Sequence, residues 1–102
     1  MKGKIVFITG ASSGIGEGCA RKFASQGSDL ILNARNVAKL EELKVELEAK
    51  YGVRICLLPF DVRDRNAATM ALASLPEEWK RIDVLVNNAG LVIGVDLSLI
   101  HI

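Results

Sequence analysis

The chain has 102 residues, 50% of them hydrophobic, and its 13 Lys and Arg against 12 Asp and Glu give a net charge of +1. That composition fits one globular domain with a core and excludes a disordered or fibrous chain. A net charge so close to zero provides no overall field that would attract nucleic acid or an anionic membrane, so we expect neither as a partner.

The cysteines and the histidine predict neither a disulfide nor a metal site. Cys19 and Cys56 fall in different predicted elements without Cys-x-x-Cys spacing, and the single histidine, His101, cannot complete a metal cluster with them. We therefore expect reduced core thiols in a cytoplasmic protein. The apolar stretch that follows the first residues is only about five residues long, too short for a signal peptide or a membrane span.

The first predicted strand, Lys4 to Thr9, leads into a glycine-rich turn at residues 9–16, which reads Thr-Gly-Ala-Ser-Ser-Gly-Ile-Gly. A strand that turns through glycines into a helix presents free N–H groups and the positive end of the helix dipole, which together favour a bound phosphate. We expect Gly10 to make the sharp turn, and Gly14 and Gly16 to leave room for phosphates or a neighbouring strand. No lysine follows the glycines, so a P-loop is excluded.

The helix after this turn is predicted from apolar residues at helical spacing. Its start can be capped by the hydroxyl of Ser12 or Ser13, either of which can instead bind a phosphate. Gly27 is placed to end the helix as a C-cap glycine, and Gly18 inside it predicts close packing on the sheet. The predicted apolar positions are Ile15, Cys19, Phe23 and Ala24.

Two further strand–helix units follow. Residues 30–34 form a second buried strand, and Asn36 caps a helix whose predicted apolar stripe comprises Val37, Leu40, Leu43 and Leu47. Residues 53–60 form a third strand that contains Pro59, which cannot donate to a ladder and therefore favours a strand end or an edge strand. Asp64 caps a third helix over about residues 65–74, whose sheet-facing side is predicted to comprise Ala68, Met70, Ala71 and Leu72.

A fourth strand at residues 82–87 completes an alternation of strands and helices that is typical of right-handed βαβ units. We predict an α/β fold with a Rossmann-type doubly wound parallel sheet of strand order 3-2-1-4. This order puts the strand of Pro59 on the edge and the glycine turn at the switch point. Trp79, in the connection before the fourth strand, is expected to pack rather than bind a ligand, because it lies at the opposite end of the sheet.

Polar residues gather at the carboxyl ends of the predicted strands, where an open α/β sheet binds its ligand. Arg35 follows the second strand, at the place where NAD-binding folds usually carry an acidic residue for the ribose 2′-hydroxyl. Because an arginine there accommodates a 2′-phosphate, the sequence predicts NADP rather than NAD. Asp61 follows the third strand. After the fourth strand, residues 87–90, Asn-Asn-Ala-Gly, predict side-chain bonds between neighbouring strands and a wall beside the cofactor.

Together, the Thr-Gly-x-x-x-Gly-x-Gly motif at residues 9–16, Asp61-Val62 and the Asn-Asn-Ala-Gly motif at residues 87–90 resemble the cofactor half of the short-chain dehydrogenase/reductase family. The resemblance implies that the pyrophosphate and adenosine ribose of NADP lie against Gly10, Ala11, Ser12, Ser13, Gly14, Ile15 and Gly16. It places the 2′-phosphate at Arg35, with Asn36 as a further cofactor-binding residue. It places adenine at Asp61 and Val62, and the adenine ribose side of the pocket at Asn88, Ala89 and Gly90.

Within the family, residues 74–79 and 82–91 are similar to NADP-dependent 3-hydroxy acid dehydrogenases that act on serine and related β-hydroxy acids. The resemblance implies an oxidoreductase that interconverts an alcohol and its carbonyl, acts on a small-molecule substrate and forms a homo-oligomer as the whole protein. One alternative is an NADP-binding regulatory or sensor module of the same fold without catalysis. A methyltransferase that binds S-adenosylmethionine ranks lower, because that class favours an acidic residue near the end of the second strand.

The chain departs from the family pattern after the fourth strand. The family's catalytic serine, tyrosine and lysine lie there, the last two in a Tyr-x-x-x-Lys motif. The only tyrosine of this chain, Tyr51, does not form that motif, because the residue four positions later is Ile55 and not a lysine. We therefore assign no catalytic residue and expect the fragment alone to be inactive. Residues 97–102 resemble the translation of a sequencing-library adapter, so we expect residues 1–96 to be a truncated NAD(P)-binding Rossmann domain and residues 97–102 a non-native tail.

Overall fold

A computed structural model describes residues 2–90 of the chain. The predicted domain boundary at residue 96 and the tail at residues 97–102 lie outside the described residues. The strands are β1 (Ile5–Thr9), β2 (Asp29–Leu32), β3 (Ile55–Leu57) and β4 (Val84–Asn87). The helices are α1 (Gly14–Ser25), α2 (Val37–Tyr51) and α3 (Arg65–Ala73), and a 3₁₀ turn spans Glu77–Trp79.

The four strands form one parallel sheet in the order β3-β2-β1-β4. All five residues of β1 are buried, as expected for a strand covered on both faces. Alternate β1 side chains point into two separate cores: Val6 and Ile8 pack with α1 and α2, whereas Ile5 and Phe7 pack with α3 and the 3₁₀ turn. The α/β fold with a doubly wound sheet of order 3-2-1-4 is therefore confirmed.

At the amino edge of the sheet, two aspartates accept hydrogen bonds from strand N–H groups. The N–H of Ile5 donates to Oδ2 of Asp83 at 2.9 Å, and the N–H of Arg54 donates to Oδ1 of Asp29 at 2.9 Å. The Arg54 guanidinium also contacts Asp29 and lies 5.0 Å from the ring centroid of Trp79. Trp79 is buried in the core beside α3, so its predicted packing role is confirmed.

Three apolar residues predicted to face the core are instead on the surface. Ile15 is 75% exposed, Val37 43% and Met70 72%. Ile15 and Val37 lie in the first turns of α1 and α2, whereas the buried positions are Gly16, Ala20 and Ala24 in α1 and Leu40, Leu43 and Leu47 in α2. In the short α3, the one fully buried side is centred on Ala68.

The strands are shorter than predicted, and the thiols are less buried. The third strand was predicted over residues 53–60 but ends at Leu57, because Pro59 has no N–H to continue the ladder. The second strand ends at Leu32 rather than at residue 34. Cys19 and Cys56 are both free, as expected, but each is only half-buried. No helix among residues 2–90 has the length and apolar character needed to cross a bilayer.

The expectation that Gly18 packs closely on the sheet is wrong. A Cβ built at Gly18 meets nothing within 4 Å, so this glycine faces solvent. The close packing occurs two residues earlier, at Gly16, where a Cβ would lie 2.0 Å from the carbonyl oxygen of Gly10.

We therefore expect opposite effects from the same substitution at two glycines of one helix. Gly18→Ala should raise the free energy of unfolding by about 0.5–1 kcal/mol, because it removes glycine's entropic cost in a helix without a clash. Gly16→Ala should destabilise the fold, because backbone atoms that cannot move aside occupy the space of the new methyl group. Denaturant unfolding of both variants of the whole protein measures the difference, and equal effects would contradict it.

Candidate binding site at the carboxyl edge of the sheet

The turn between β1 and α1 is held by contacts that only glycine permits. Gly10 has a φ of 63°, in the left-handed region. The Ala11 N–H donates to the carbonyl of Asn33 at 2.8 Å, which ties the turn to the end of β2. Ser13 caps α1: its Oγ accepts from the Gly16 N–H at 3.0 Å and donates to the Gly10 carbonyl at 2.8 Å. The two serines therefore differ, since Ser13 caps the helix while Ser12 lines a cavity.

The start of α1 leaves main-chain donors available to a ligand. Within residues 2–90, the N–H groups of Ser12, Gly14 and Ile15 make no hydrogen bond, and a Cβ built at Gly14 meets only open space. Together with the positive end of the helix dipole, these donors suit an anion. The exposed Ile15 side chain lies beside them.

Thr9 joins the end of β1 to the segment after β4. Its buried Oγ1 donates to Oδ1 of Asn87 at 2.9 Å and accepts from the Ala89 N–H at 3.2 Å. The side-chain amide of Asn88 donates to the Thr9 carbonyl at 3.2 Å. The predicted side-chain bonds between neighbouring strands are thus present. They place Ala89 against Gly10, where the two residues share one wall of the site.

Asn33 performs a similar task on the other side of β1. Its side chain is 1% exposed, and its Nδ2 donates to the carbonyls of Leu58 at 3.0 Å and Phe60 at 3.1 Å. These two carbonyls flank Pro59, so the side-chain amide bridges β2 and the segment after β3 where the main-chain ladder stops. Oδ1 of Asn33 has no hydrogen-bond partner within the described part of the chain. Sequence reasoning missed this residue, although its neighbour Arg35 was singled out.

Three charged side chains meet after β3. Both oxygens of the Asp61 carboxylate are held by Arg63: Oδ1 accepts from the Arg63 main-chain N–H at 2.9 Å and from Nε at 3.1 Å, and Oδ2 accepts from Nη2 at 2.9 Å. Nη1 of Arg35 lies 3.8 Å from the same Oδ2. These contacts, those from Arg63 above all, lower the pKa of Asp61 to about 2. Arg63 was also missed in the sequence.

These segments enclose a cavity of about 330 Å³ at the carboxyl edge. Six predicted site residues line it: Gly10, Ser12, Arg35, Asp61, Val62 and Ala89. Asn33, Ala34, Phe60 and Arg63 complete the lining. This lining, drawn from the described residues, contains no histidine, tyrosine, lysine or cysteine. It supplies hydrogen-bond donors, positive charge and an apolar wall, which suits binding of a nucleotide phosphate more than acid–base chemistry.

The other eight predicted residues lie behind the cavity or at its rim. Ala11 and Gly16 are buried behind the turn, and Asn36 caps α2 by accepting from the Lys39 N–H at 3.1 Å. Ser13 and Asn88 make the structural hydrogen bonds described above. The remaining three are exposed along the rim: Gly14, Ile15 and Gly90.

Comparison with known proteins identifies the family. The family model of short chain dehydrogenase matches residues 4–101. The chain belongs to the short chain dehydrogenase family.

Individual members of the short chain dehydrogenase family match at substantial identity. The chain is 47% identical over 92 residues to NADP-dependent 3-hydroxy acid dehydrogenase YdfG of Escherichia coli strain K12, over 90% of this chain and 36% of that protein. It is 47% identical over 89 residues to sulfoacetaldehyde reductase of Chromohalobacter salexigens, over 87% of this chain and 34% of that protein. L-sorbose reductase from Gluconobacter frateurii, solved with NADPH and L-sorbose, superposes with a TM-score of 0.81 at 39% identity, over 88% of this chain and 34% of that chain.

The chain thus spans about a third of the length of these short chain dehydrogenase relatives. The match nonetheless includes the whole carboxyl edge, because it extends from before the glycine turn to beyond residue 90. The turn, the cavity and the charged cluster all lie within the matched residues.

The two adjacent serines test the assignment of Ser13 as the cap of α1 and of Ser12 as a cavity-lining residue. Ser13→Ala should lower the free energy of unfolding by about 1 kcal/mol, because the first turn of α1 loses its side-chain cap. Ser12→Ala should leave stability within about 0.5 kcal/mol of wild type, since its hydroxyl makes no hydrogen bond within residues 2–90. Paired urea titrations of the whole protein measure both. A larger loss for Ser12→Ala than for Ser13→Ala would show that the cap is misassigned.

Proposed function

We propose that the whole protein is an NADP-dependent oxidoreductase that interconverts an alcohol and its carbonyl, with a 3-hydroxy acid as the alcohol. Residues 2–90 form its cofactor-binding half in this proposal. The observation that carries it is Arg35. This residue lines the cavity, and its guanidinium makes no hydrogen bond within the described residues. It stands next to a turn whose main-chain donors suit phosphate.

The cavity and turn fit this cofactor by the chemistry of their donors. The free N–H groups of Ser12, Gly14 and Ile15 would hold the pyrophosphate, and Arg35 the 2′-phosphate. Val62 and Phe60 offer apolar surface for the adenine ring, and Asp61 offers an acceptor for its amino group. When bound, NADPH supplies the hydride that reduces a carbonyl, and NADP⁺ accepts it in the reverse direction.

The protein's own residues contribute position rather than proton transfer in this half. Thr9 and Asn33 hold the two walls of the cavity at fixed distances from the turn, through the hydrogen bonds of their buried side chains. Fixed donors of this kind bind without first having to be ordered, which favours affinity. The groups that would donate a proton to the forming alkoxide and stabilise it are proposed to lie in the part of the protein beyond residue 90.

The choice of a 3-hydroxy acid is supported by the relatives and by the similarity of residues 74–79 and 82–91 to that subgroup. NADP-dependent 3-hydroxy acid dehydrogenase YdfG and sulfoacetaldehyde reductase match this chain at the same identity. The substrates to compare in an assay are therefore serine and other 3-hydroxy acids against 2-hydroxyethanesulfonate, each with NADP⁺. Turnover of the sulfonate alone would overturn the substrate assignment and leave the cofactor assignment intact.

The cofactor assignment is tested by substitution of Arg35. Arg35→Ala should weaken NADPH binding by roughly tenfold to a hundredfold, the worth of a hydrogen bond to a charged group, and leave NADH binding nearly unchanged. Arg81→Ala is the matched control, since Arg81 is an exposed arginine just before β4, at the amino edge of the sheet. Fluorescence titration of the whole protein with each dinucleotide gives the two dissociation constants. Equal affinity of the wild type for NADH and NADPH would refute the proposal.

A further inference from the structure

The cluster around Asp61 presents an electrostatic problem for a site that binds a phosphate. A carboxylate 3.8 Å from Arg35 can form an ion pair with that guanidinium and compete with any anion for it. The competition is limited in this structure, because both carboxylate oxygens already accept hydrogen bonds from Arg63. At 3.8 Å the contact between Arg35 and Asp61 is too long for a hydrogen bond, so the donors of Arg35 stay available.

We propose that Arg63 is a specificity-determining residue for NADPH over NADH, and that it acts by engaging both carboxylate oxygens of Asp61, so that Asp61 forms no hydrogen bond with Arg35. This inference rests on the proposed function, since it concerns how Arg35 is kept free for the 2′-phosphate. Arg63 is a positioning residue in this account. It follows Asp61 by two residues and binds its carboxylate with both its main-chain N–H and its guanidinium.

The geometry favours this role over a simple surface ion pair. An isolated exposed pair contributes little, because solvent screens it and both side chains lose freedom. Here the carboxylate accepts from the main-chain N–H of Arg63, and the planar guanidinium binds both oxygens in the two-pronged arrangement typical of arginine. The carboxylate therefore makes its hydrogen bonds to Arg63 and only a longer contact, 3.8 Å, to Arg35. The low pKa of Asp61 agrees with that arrangement.

Charge alone provides a rival account, in which Arg63 attracts the 2′-phosphate directly. The two accounts differ in what neutralising Asp61 should do. If Arg63 acts through Asp61, then Asp61→Asn should matter most when Arg63 is absent. If Arg63 attracts the phosphate itself, then the two substitutions should act independently.

The experiment is a double-mutant cycle on the whole protein with the variants Arg63→Gln, Asp61→Asn and the two combined. The readout is the ratio of the NADH to the NADPH dissociation constant, which cancels the effect of Asp61 on adenine. Arg63→Gln should lower this ratio about fivefold, the upper range for an exposed charged pair. Adding Asp61→Asn should restore it to near the wild-type value, whereas Asp61→Asn alone should change it by less than about twofold.

Two results would overturn the inference: an unchanged ratio in Arg63→Gln, or a loss that Asp61→Asn does not restore. A wild-type protein that binds NADH and NADPH equally well would instead refute the proposed function, so the two failures are distinguishable. Arg63→Lys covers the case in which Arg63→Gln does not fold. It keeps the charge but not the two-pronged geometry, so it should also lower the ratio, and a wild-type ratio in Arg63→Lys would overturn the inference.

A second readout does not depend on binding. A carbon-13 NMR titration of the Asp61 carboxyl should show its pKa rising from about 2 toward its ordinary value of 3.8 in Arg63→Gln. An unchanged pKa would show that Arg63 does not hold the carboxylate in solution and would overturn the inference.

Discussion

The close approach of α1 to the end of β1 is the constraint on which the rest of the site depends. The position of a Cβ at Gly16 would lie 2.0 Å from the Gly10 carbonyl oxygen, so the helix can start at this point only without a side chain there. That start leaves the N–H groups of Gly14 and Ile15 without an acceptor within residues 2–90, on two exposed residues. A buried N–H group without an acceptor would be costly. The unpaired N–H groups at the start of α1 are tolerated because they are open to solvent and to a ligand.

Two buried polar side chains then fix the walls on either side of the turn. Thr9 reaches to the segment after β4, and Asn33 reaches to the segment after β3. Both lie at the carboxyl ends of central strands, where ladder hydrogen bonds run out and neighbouring chains would otherwise separate. Their burial means that the hydrogen bonds are shielded from water, and a lost partner would leave a costly unsatisfied group. Buried hydrogen bonds therefore join the walls of the site, whereas its charged side chains remain on the surface.

Much of the fold follows from local sequence signals. Short apolar runs predicted four buried strands, and their alternation with helices predicted the doubly wound order 3-2-1-4, with which an edge position for the strand of Pro59 agreed. Ser13, Asn36 and Asp64 were predicted as possible or definite helix caps from residue type alone, and each accepts a hydrogen bond from the N–H three residues on. Such signals act over a few residues, which is why they can be read without the tertiary structure.

The errors concern which way a helix faces and which side chains meet. Ile15 and Val37 occur at the helical spacing of the apolar residues, yet both are exposed. That spacing alone does not predict which turns of a helix are covered by the sheet. Asn33 looked like an ordinary member of a buried strand, because its task is set by Pro59, a residue 26 positions away in the chain. Arg63 follows Asp61 by two residues in an exposed turn, and nothing in its local pattern distinguishes it from a solvated arginine.

The placement of carboxylates at the two edges of the sheet explains how a nearly neutral chain can present a cationic site. At the amino edge, Asp29 and Asp83 are occupied by strand N–H groups, where they complete the hydrogen bonding of the ladder. At the carboxyl edge, the single carboxylate of Asp61 is hydrogen-bonded to Arg63 and lies 3.8 Å from Arg35, so the two arginines and one aspartate carry a net positive charge. The net charge of +1 averages over both edges, so it does not indicate whether one edge can hold a single phosphate. An anion site of this kind depends on which acids are already engaged, and only the folded arrangement determines that.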